Sequence, residues 1–392
     1  MKILMAAPAI MIPESIAQSV HQQQFAKNLV EMGHDLHILC RRPPGRDEKE
    51  GGVTYHRVMS EDFPLKRIVF TLDAVRQLRK LVDREKFDII HDRGYLFGAV
   101  GTKVALEKGV PSVLQIDDDW VETEAMASRI TSTPLYKMSA LAWCKSLMKK
   151  AKVMFAVSDT LRKLVAESWE ADAERISIVP NGVELELFRP DASPLGVKKE
   201  LGIESKKIVT FVGALGPWHG LENLIRAMPY VLEDVPDAEF LLVGAMKEFG
   251  TSHMMEMAKK YGVSEKMHLL GRKPPEEIPR ILVESNVAVA PYPARDFGFS
   301  PLKLFEYAAC GIPIVCSDLP STREIIENGK NGLLVPPEDE DELAEAITRI
   351  LIDPRLAKRL SVESLRRVKS FSWKESTKKL EGVYEKALRS AA

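Results

Sequence analysis

Phe297-Gly-Phe-Ser-Pro-Leu-Lys-Leu-Phe-Glu-Tyr-Ala-Ala-Cys-Gly-Ile-Pro-Ile-Val315 reads as a glycine-containing loop, a helix and a strand in immediate succession. That order is the repeating unit of a parallel α/β sheet, so it sets what the surrounding chain must be. Ser300 is placed to cap the helix. Pro301, in the first turn, gives up no donor the helix needs, because first-turn N–H groups lack an intrahelical acceptor. The other first-turn N–H groups and the positive end of the helix dipole make a competent diphosphate site. Lys303 adds a full positive charge in the same turn. Glu306 projects from the same face three residues on, where its carboxylate can accept hydrogen bonds from both hydroxyls of a ribose. For these two residues alone an i,i+3 surface ion pair is the plainer account; the loop, the cap and the following strand favour a ligand site.

The same alternation extends on both sides. Residues 207–213, 239–244, 267–271 and 287–290 read as strands, with helices over 221–232 and 254–261, then a short strand at 332–335 and helices from Asp339 onward. In the first half, the apolar run from Lys2 is followed by a helix over 19–32 that Gly33 ends. Strands at 36–40, 87–91, 111–116 and 153–157 follow, with helices over 98–107 and 136–150. Periodicity stops around 190–201, where Arg189-Pro-Asp-Ala-Ser-Pro-Leu-Gly196 is rich in turn formers and marks a linker. The expected fold is therefore two Rossmann-like, doubly wound parallel-sheet domains, residues 1–190 and 191–370, facing each other across a cleft. In such sheets ligands bind beyond the carboxyl ends of the strands.

Composition agrees and excludes several classes. A chain of 392 residues is too long for one ordinary core. A net charge of −1 provides no global field for nucleic acid. No uncharged apolar run approaches the length of a membrane span, and the opening stretch is interrupted at Pro8 and Pro13, which suits a strand better than a secretion signal. Four cysteines, Cys40, Cys144, Cys310 and Cys316, contain no C-x-x-C pair, so buried thiols in a reducing cytoplasm are expected. No G-x-G-x-x-G follows the first strand of either half, which disfavours a dinucleotide dehydrogenase.

With these residues in place, the sequence resembles glycosyltransferase family 4, retaining transferases of the GT-B fold, over essentially its whole length. The resemblance rests on Gly33-His34, Asp88-Ile-Ile-His91, Ala156-Val-Ser158, Val179-Pro-Asn-Gly-Val183 with Phe188, Val212-Gly213 through Trp218-His219-Gly220 to Leu224-Ile-Arg-Ala227, Leu270-Gly271, and Ser300 to Pro313. It implies a nucleotide-diphosphate sugar donor, UDP- or GDP-linked, with no further cofactor and no metal at the chemical step. Glu306 would hold the donor ribose and Lys303 the diphosphate, with Gly298, Phe299, Ser300 and Leu302 in the adjoining turn. The loop carrying Gly213, Gly216, Trp218 and His219 would face the phosphates, and the base would lie near Arg272. Residues 371–392 would form a helix crossing back to the N-terminal domain. The acceptor would be a glycan, a lipid-linked sugar or a small molecule.

Three positions depart from the family pattern. Many members place a first glutamate eight residues before the second, and here that position is Gly298; Asp296 is the candidate substitute. Where many members carry an arginine and a lysine after the Val212-Gly213 strand, this chain has Ala214 and His219, so a protonated or donating His219 would replace part of the lost charge. Asp117, in Gln115-Ile-Asp-Asp-Asp119, stands where a histidine often faces the sugar. The adjacent carboxylates also invite a cation reading, although a solvated acidic loop or a bound acceptor hydroxyl explains them as well. Asp92 and Arg93, in the loop expected after residues 87–91, are further candidates for acceptor contacts. The missing glutamate keeps open a nucleotide-sugar-binding protein without chemistry, and a nucleotide-sugar epimerase would need the same diphosphate site. Basic residues in 65–86 (Lys66, Arg67, Arg76, Arg79, Lys80) and 136–152 (Lys145, Lys149, Lys150) read first as solvated helix faces. The second reading is a surface resting on the anionic inner face of a membrane, within reach of a lipid-linked acceptor.

Overall fold

The structure is a computed structural model describing residues 1–14, 17–42, 48–58, 66–127, 129–244 and 248–390. It divides into two compact units, one of residues 1–181, 297–300 and 373–392, the other of residues 182–296 and 301–372.

The first unit is built on an eight-stranded sheet. Its strands are β1 (Lys2–Met11), β2 (Asp35–Arg41), β3 (Lys49–Glu50), β4 (Val53–Arg57), β5 (Ile89–Arg93), β6 (Ser112–Ile116), β7 (Val153–Ala156) and β8 (Ile176–Ile178). They lie in the order β3-β4-β2-β1-β5-β6-β7-β8, every pair parallel except β3 with β4. Ile3 of β1 faces Leu36 of β2 on one side and Ile89 of β5 on the other. Strand order therefore reverses between β1 and β5, the topological switch point of a doubly wound sheet. β1 continues through Pro8, which the sequence reading treated as an interruption; the ladder shifts register between Ala7 and Met11 instead of ending. On one face, Leu4, Leu39 and Ile90 pack with Ala74, Leu78 and Val104, and Leu114, Ile116 and Met154 pack with Trp120, Cys144, Leu147 and Trp169.

The helix Trp373–Arg389 completes this unit, packing on the helix Ala17–Glu31 and on β5, β6 and β7. Its buried residues Trp373, Thr377, Leu380, Tyr384 and Ala387 recur at helical spacing and form one stripe. The Trp373 ring lies against His21 at 5.4 Å and Phe25 at 5.5 Å.

The second unit carries six parallel strands: β9 (Lys207–Val212), β10 (Ala238–Val243), β11 (Met267–Gly271), β12 (Val287–Ala290), β13 (Ile314–Ser317) and β14 (Leu333–Val335). Their order, β11-β10-β9-β12-β13-β14, places the reversal between β9 and β12. The helices Leu221–Asp234 and Glu340–Ile352 cover the sheet through Leu224, Met228, Leu343 and Ile347. All four cysteines are buried free thiols, as expected. The two parallel-sheet α/β domains expected from the alternation are present.

Candidate active site

In the second unit the switch point gathers the loop after β9 and the helix Leu302–Ala309. Tyr307 sets the helix in place: its buried hydroxyl accepts the Val212 N–H at 2.8 Å, fixing the helix against the end of β9. The preceding turn then delivers Lys303 beneath Gly213. Only glycine suits that position, since its φ is +145° and a Cβ would lie 2.9 Å from the Lys303 Nζ.

Lys303 is 7% exposed. Its ammonium lies 4.0 Å from the Phe211 ring centroid and 5.3 Å from that of Tyr292, and it donates to His219 Nδ1 at 3.3 Å. Among the described residues it has no carboxylate within ion-pair distance. Burial consequently pulls Lys303 down to about 7 against the opposing effect of Glu306, and lifts Glu306, one turn further along the helix, to about 7 against that of Lys303. His219 is pulled down to about 2, first by burial and then by the Lys303 charge. Of the two forms expected for His219, protonated or donating, this favours the donating one: a neutral ring that accepts the Lys303 ammonium on Nδ1 carries its N–H on Nε2. Trp218, next to it, is half exposed, and its ring occupies the space beside Gly216.

Ser300 does not cap the helix. The N-cap is Pro301, with extended backbone, and the helix begins at Leu302. Ser300 lies one residue further out, where its Oγ accepts the Asn181 N–H at 3.2 Å and its carbonyl accepts from Asn181 Nδ2 at 2.6 Å. Residues 297–300 group with the first unit. Gly298 is held there by Ser158, whose Oγ donates to the Gly298 carbonyl at 2.6 Å while accepting the Leu161 N–H as cap of the helix Asp159–Ser168. Gly298 has φ +71°, and a Cβ on it would lie 2.6 Å from Leu161 Cα, so no glutamate fits this conformation. Phe299 is half-buried in the same turn. Ser158 and Asn181 thus give two of the recognised sequence motifs a job, holding the turn ahead of the helix, that the sequence reading did not assign to them.

Asp296 directs both carboxylate oxygens at Ser321, accepting its N–H at 2.7 Å and its hydroxyl at 2.6 Å. The carboxylate closes the start of the short helix Pro320–Arg323. Arg272 follows β11 at the sheet edge and is exposed; two strand spacings, about 10 Å, separate β11 from β9.

In the first unit, a polar network occupies the ends of β5 and β6. The Tyr384 hydroxyl donates to His91 Nδ1 at 2.7 Å, and His91 Nε2–H donates to Gln115 Oε1 at 2.6 Å. Gln115 Nε2 donates in turn to Asp117 Oδ1 at 2.6 Å and to His21 Nδ1 at 3.2 Å. Arg93 pairs with the other Asp117 oxygen at 2.8 Å. Burial raises the Asp117 carboxyl, but Arg93 and His21 outweigh it and hold the group below its ordinary range. Its neighbour Asp118 goes the other way, up to about 7, through burial and the adjacent Asp117 charge. Asp119 caps the helix Trp120–Ala127, accepting the Val121 N–H at 3.1 Å. Asp92 and Arg93 belong to β5 itself and not to a loop after it. Asp92 is wholly buried and accepts the Thr102 N–H at 2.7 Å, which removes it from contact with an acceptor.

Known proteins show the same architecture. A model described as glycosyl transferases group 1 matches residues 197–366, and one described as Glycosyltransferase Family 4 matches residues 18–187. A D-inositol 3-phosphate glycosyltransferase of Segniliparus rotundus is 26% identical, over 95% of this chain and 85% of that one. A glycosyltransferase of Methanocaldococcus jannaschii is 24% identical over 94% of each chain. Among solved structures, a sucrose-phosphate synthase from Thermosynechococcus elongatus superposes over the full length of both chains with a TM-score of 0.81 at 21% identity. Anabaena HepE in complex with UDP-glucose gives 0.77 at 17% identity, over 98% of this chain and 99% of that one. The chain belongs to the family 4 glycosyltransferases and has the GT-B fold.

Proposed function

We propose that this glycosyltransferase takes its sugar from a nucleotide-diphosphate donor, UDP- or GDP-linked, and transfers it with retention of configuration. The observation that carries the reading is Lys303, a buried ammonium on two aromatic faces with a neutral histidine as its only hydrogen-bond partner among the described residues. A buried cation without a counter-charge is costly, and a diphosphate supplies that charge. His219 Nε2–H and the free N–H groups at the start of the helix Leu302–Ala309 add neutral donors to the same anion. Glu306 accepts from the ribose hydroxyls, Arg272 lies toward the base, and Asp296 is the candidate contact for a donor-sugar hydroxyl. HepE, which shares the fold, has been solved with UDP and with UDP-glucose.

Retention requires no protein nucleophile in this reading. The departing phosphate oxygen takes the acceptor's proton on the face it leaves, so the chain contributes positioning and stabilisation of the developing diphosphate charge. Asp117, oriented by Arg93 and Gln115, is the candidate contact for a glycan, lipid-linked or small-molecule acceptor. The enzyme works in a reducing cytoplasm, in keeping with its four free thiols. Calorimetric titration with uridine, guanosine and adenosine diphosphates and their common sugars tests the reading. It expects one base series to bind and Lys303→Ala to abolish most of that binding; inert nucleotides, or binding indifferent to Lys303, would remove it.

A further inference from the structure

We propose that the tip formed by the end of the helix Trp120–Ala127 and the start of the helix Pro134–Lys150 docks on an anionic phospholipid surface. Met126, Ile130, Leu135 and Met138 are 46%, 76%, 78% and 68% exposed. The second helix already buries its inward stripe, Ala140, Cys144, Leu147 and Met148. Leu135 and Met138 fall on the opposite side of the helical wheel, where a solvated helix carries polar residues. Charge follows the same segment: between Ala125 and Lys152 the sequence has six basic residues and no acidic one, in a chain whose net charge is −1. Lys137 and Lys145 pair with Glu122 and Glu170, which lie outside that segment. Arg129, Lys149, Lys150 and Lys152 are exposed.

Arg129 stands at the apolar tip, and Lys149 and Lys150 lie about 20 Å along the helix Pro134–Lys150, at its other end. A helix tilted into a bilayer therefore places apolar side chains in the acyl boundary and basic ones among anionic headgroups. Side chains spread over the end of a helix pair suit a fluid surface better than a shaped protein partner. The other basic stretch offers less. Residue 65 and the side chains of Lys66 and Arg67 lie outside the described residues, and Arg79 is held by Glu107 at 2.8 Å. The first of the two tip helices starts beside Asp119 and is eight residues long, so the tip lies about 12 Å along the chain axis from the Asp117 network. The docking does not depend on the donor assignment.

Sedimentation of the full chain with phosphatidylcholine vesicles, with and without phosphatidylglycerol, tests it. The expected result is binding only to the anionic vesicles, weakened by salt. An Ile130→Ser, Leu135→Ser, Met138→Ser variant should lose at least about tenfold in vesicle affinity with its melting temperature unchanged, because these side chains contact solvent. Lys149→Glu with Lys150→Glu should abolish the preference for phosphatidylglycerol. Equal binding to both vesicles, no binding, or an unaffected serine variant overturns the proposal. So does a serine variant that turns a dimer into a monomer, which would make the tip an interface between copies of the chain.

Discussion

Replacing Lys303 with methionine should have opposite effects on the empty and the occupied protein. The ammonium is buried on Phe211 and Tyr292 and falls from an ordinary 10.5 to about 7. At about 1.4 kcal/mol per pH unit, keeping it charged in the fold costs on the order of 5 kcal/mol. The sign follows from proton counting: between pH 7 and 10.5 the unfolded chain binds the proton that the folded chain gives up, so stability conferred through this group rises with pH over that window. Methionine removes the charge while filling most of the volume. The ligand-free variant should therefore melt no lower than the wild type at pH 7, and the rise in wild-type stability toward pH 10 should flatten. Nucleoside diphosphate binding moves the other way. A charge-assisted hydrogen bond is worth about 1.5–3 kcal/mol, so affinity should fall by about 10- to 150-fold. Loss of transition-state stabilisation on the order of 2–4 kcal/mol should appear in turnover once an acceptor is in hand. Differential scanning calorimetry at several pH values, with and without ligand, reads both effects. A variant that melts well below the wild type yet keeps its ligand-induced shift would refute the reasoning, because Lys303 would then be packing and not an anion site.

Glu306→Gln should weaken nucleoside diphosphates by about 10- to 150-fold and leave inorganic pyrophosphate unchanged, since only the former carries a ribose; equal losses for both, measured by calorimetry, would detach Glu306 from the sugar. Gly298→Glu restores the family's first carboxylate in sequence but meets Leu161 and a positive φ. Denaturant unfolding should show a loss of at least about 1–3 kcal/mol, and a variant as stable as the wild type with tighter donor binding would contradict the clash. Tyr384→Phe leaves His91 Nδ1 buried without its donor, at a cost of about 1–3 kcal/mol. The same change should alter the Michaelis constant for acceptor more than that for donor, because the network ends at Asp117.

Local readings of the sequence held where one residue's chemistry decides the outcome. The loop, helix and strand of 297–315 were legible because glycine, proline and an apolar period leave few alternatives, and the placement of Lys303 one turn before Glu306 follows from helix geometry alone. Pairing between distant strands was not legible. β5 extends two residues beyond its apolar run because Asp92 and Arg93 find partners in Thr102 and Asp117, which turns two expected loop residues into buried ones. The clamp on residues 298–300 was also beyond reach. Ser158 and Gly298 are 140 positions apart, Asn181 and Ser300 are 119, and no periodicity records such a contact. The demotion of Ser300 from cap to clamp, and the neutral state of His219, both follow from neighbours that only the fold supplies.

The helix Trp373–Arg389 is the last described stretch of regular structure, yet it finishes the unit that begins at residue 1. During translation the first sheet must therefore wait, with His21, Phe25 and His91 uncovered on one side, while the whole second unit is made and folds. A chain cut before Trp373 would lack the partners of His21, Phe25 and His91, leaving the first sheet with an open seam of mixed aromatic and polar character.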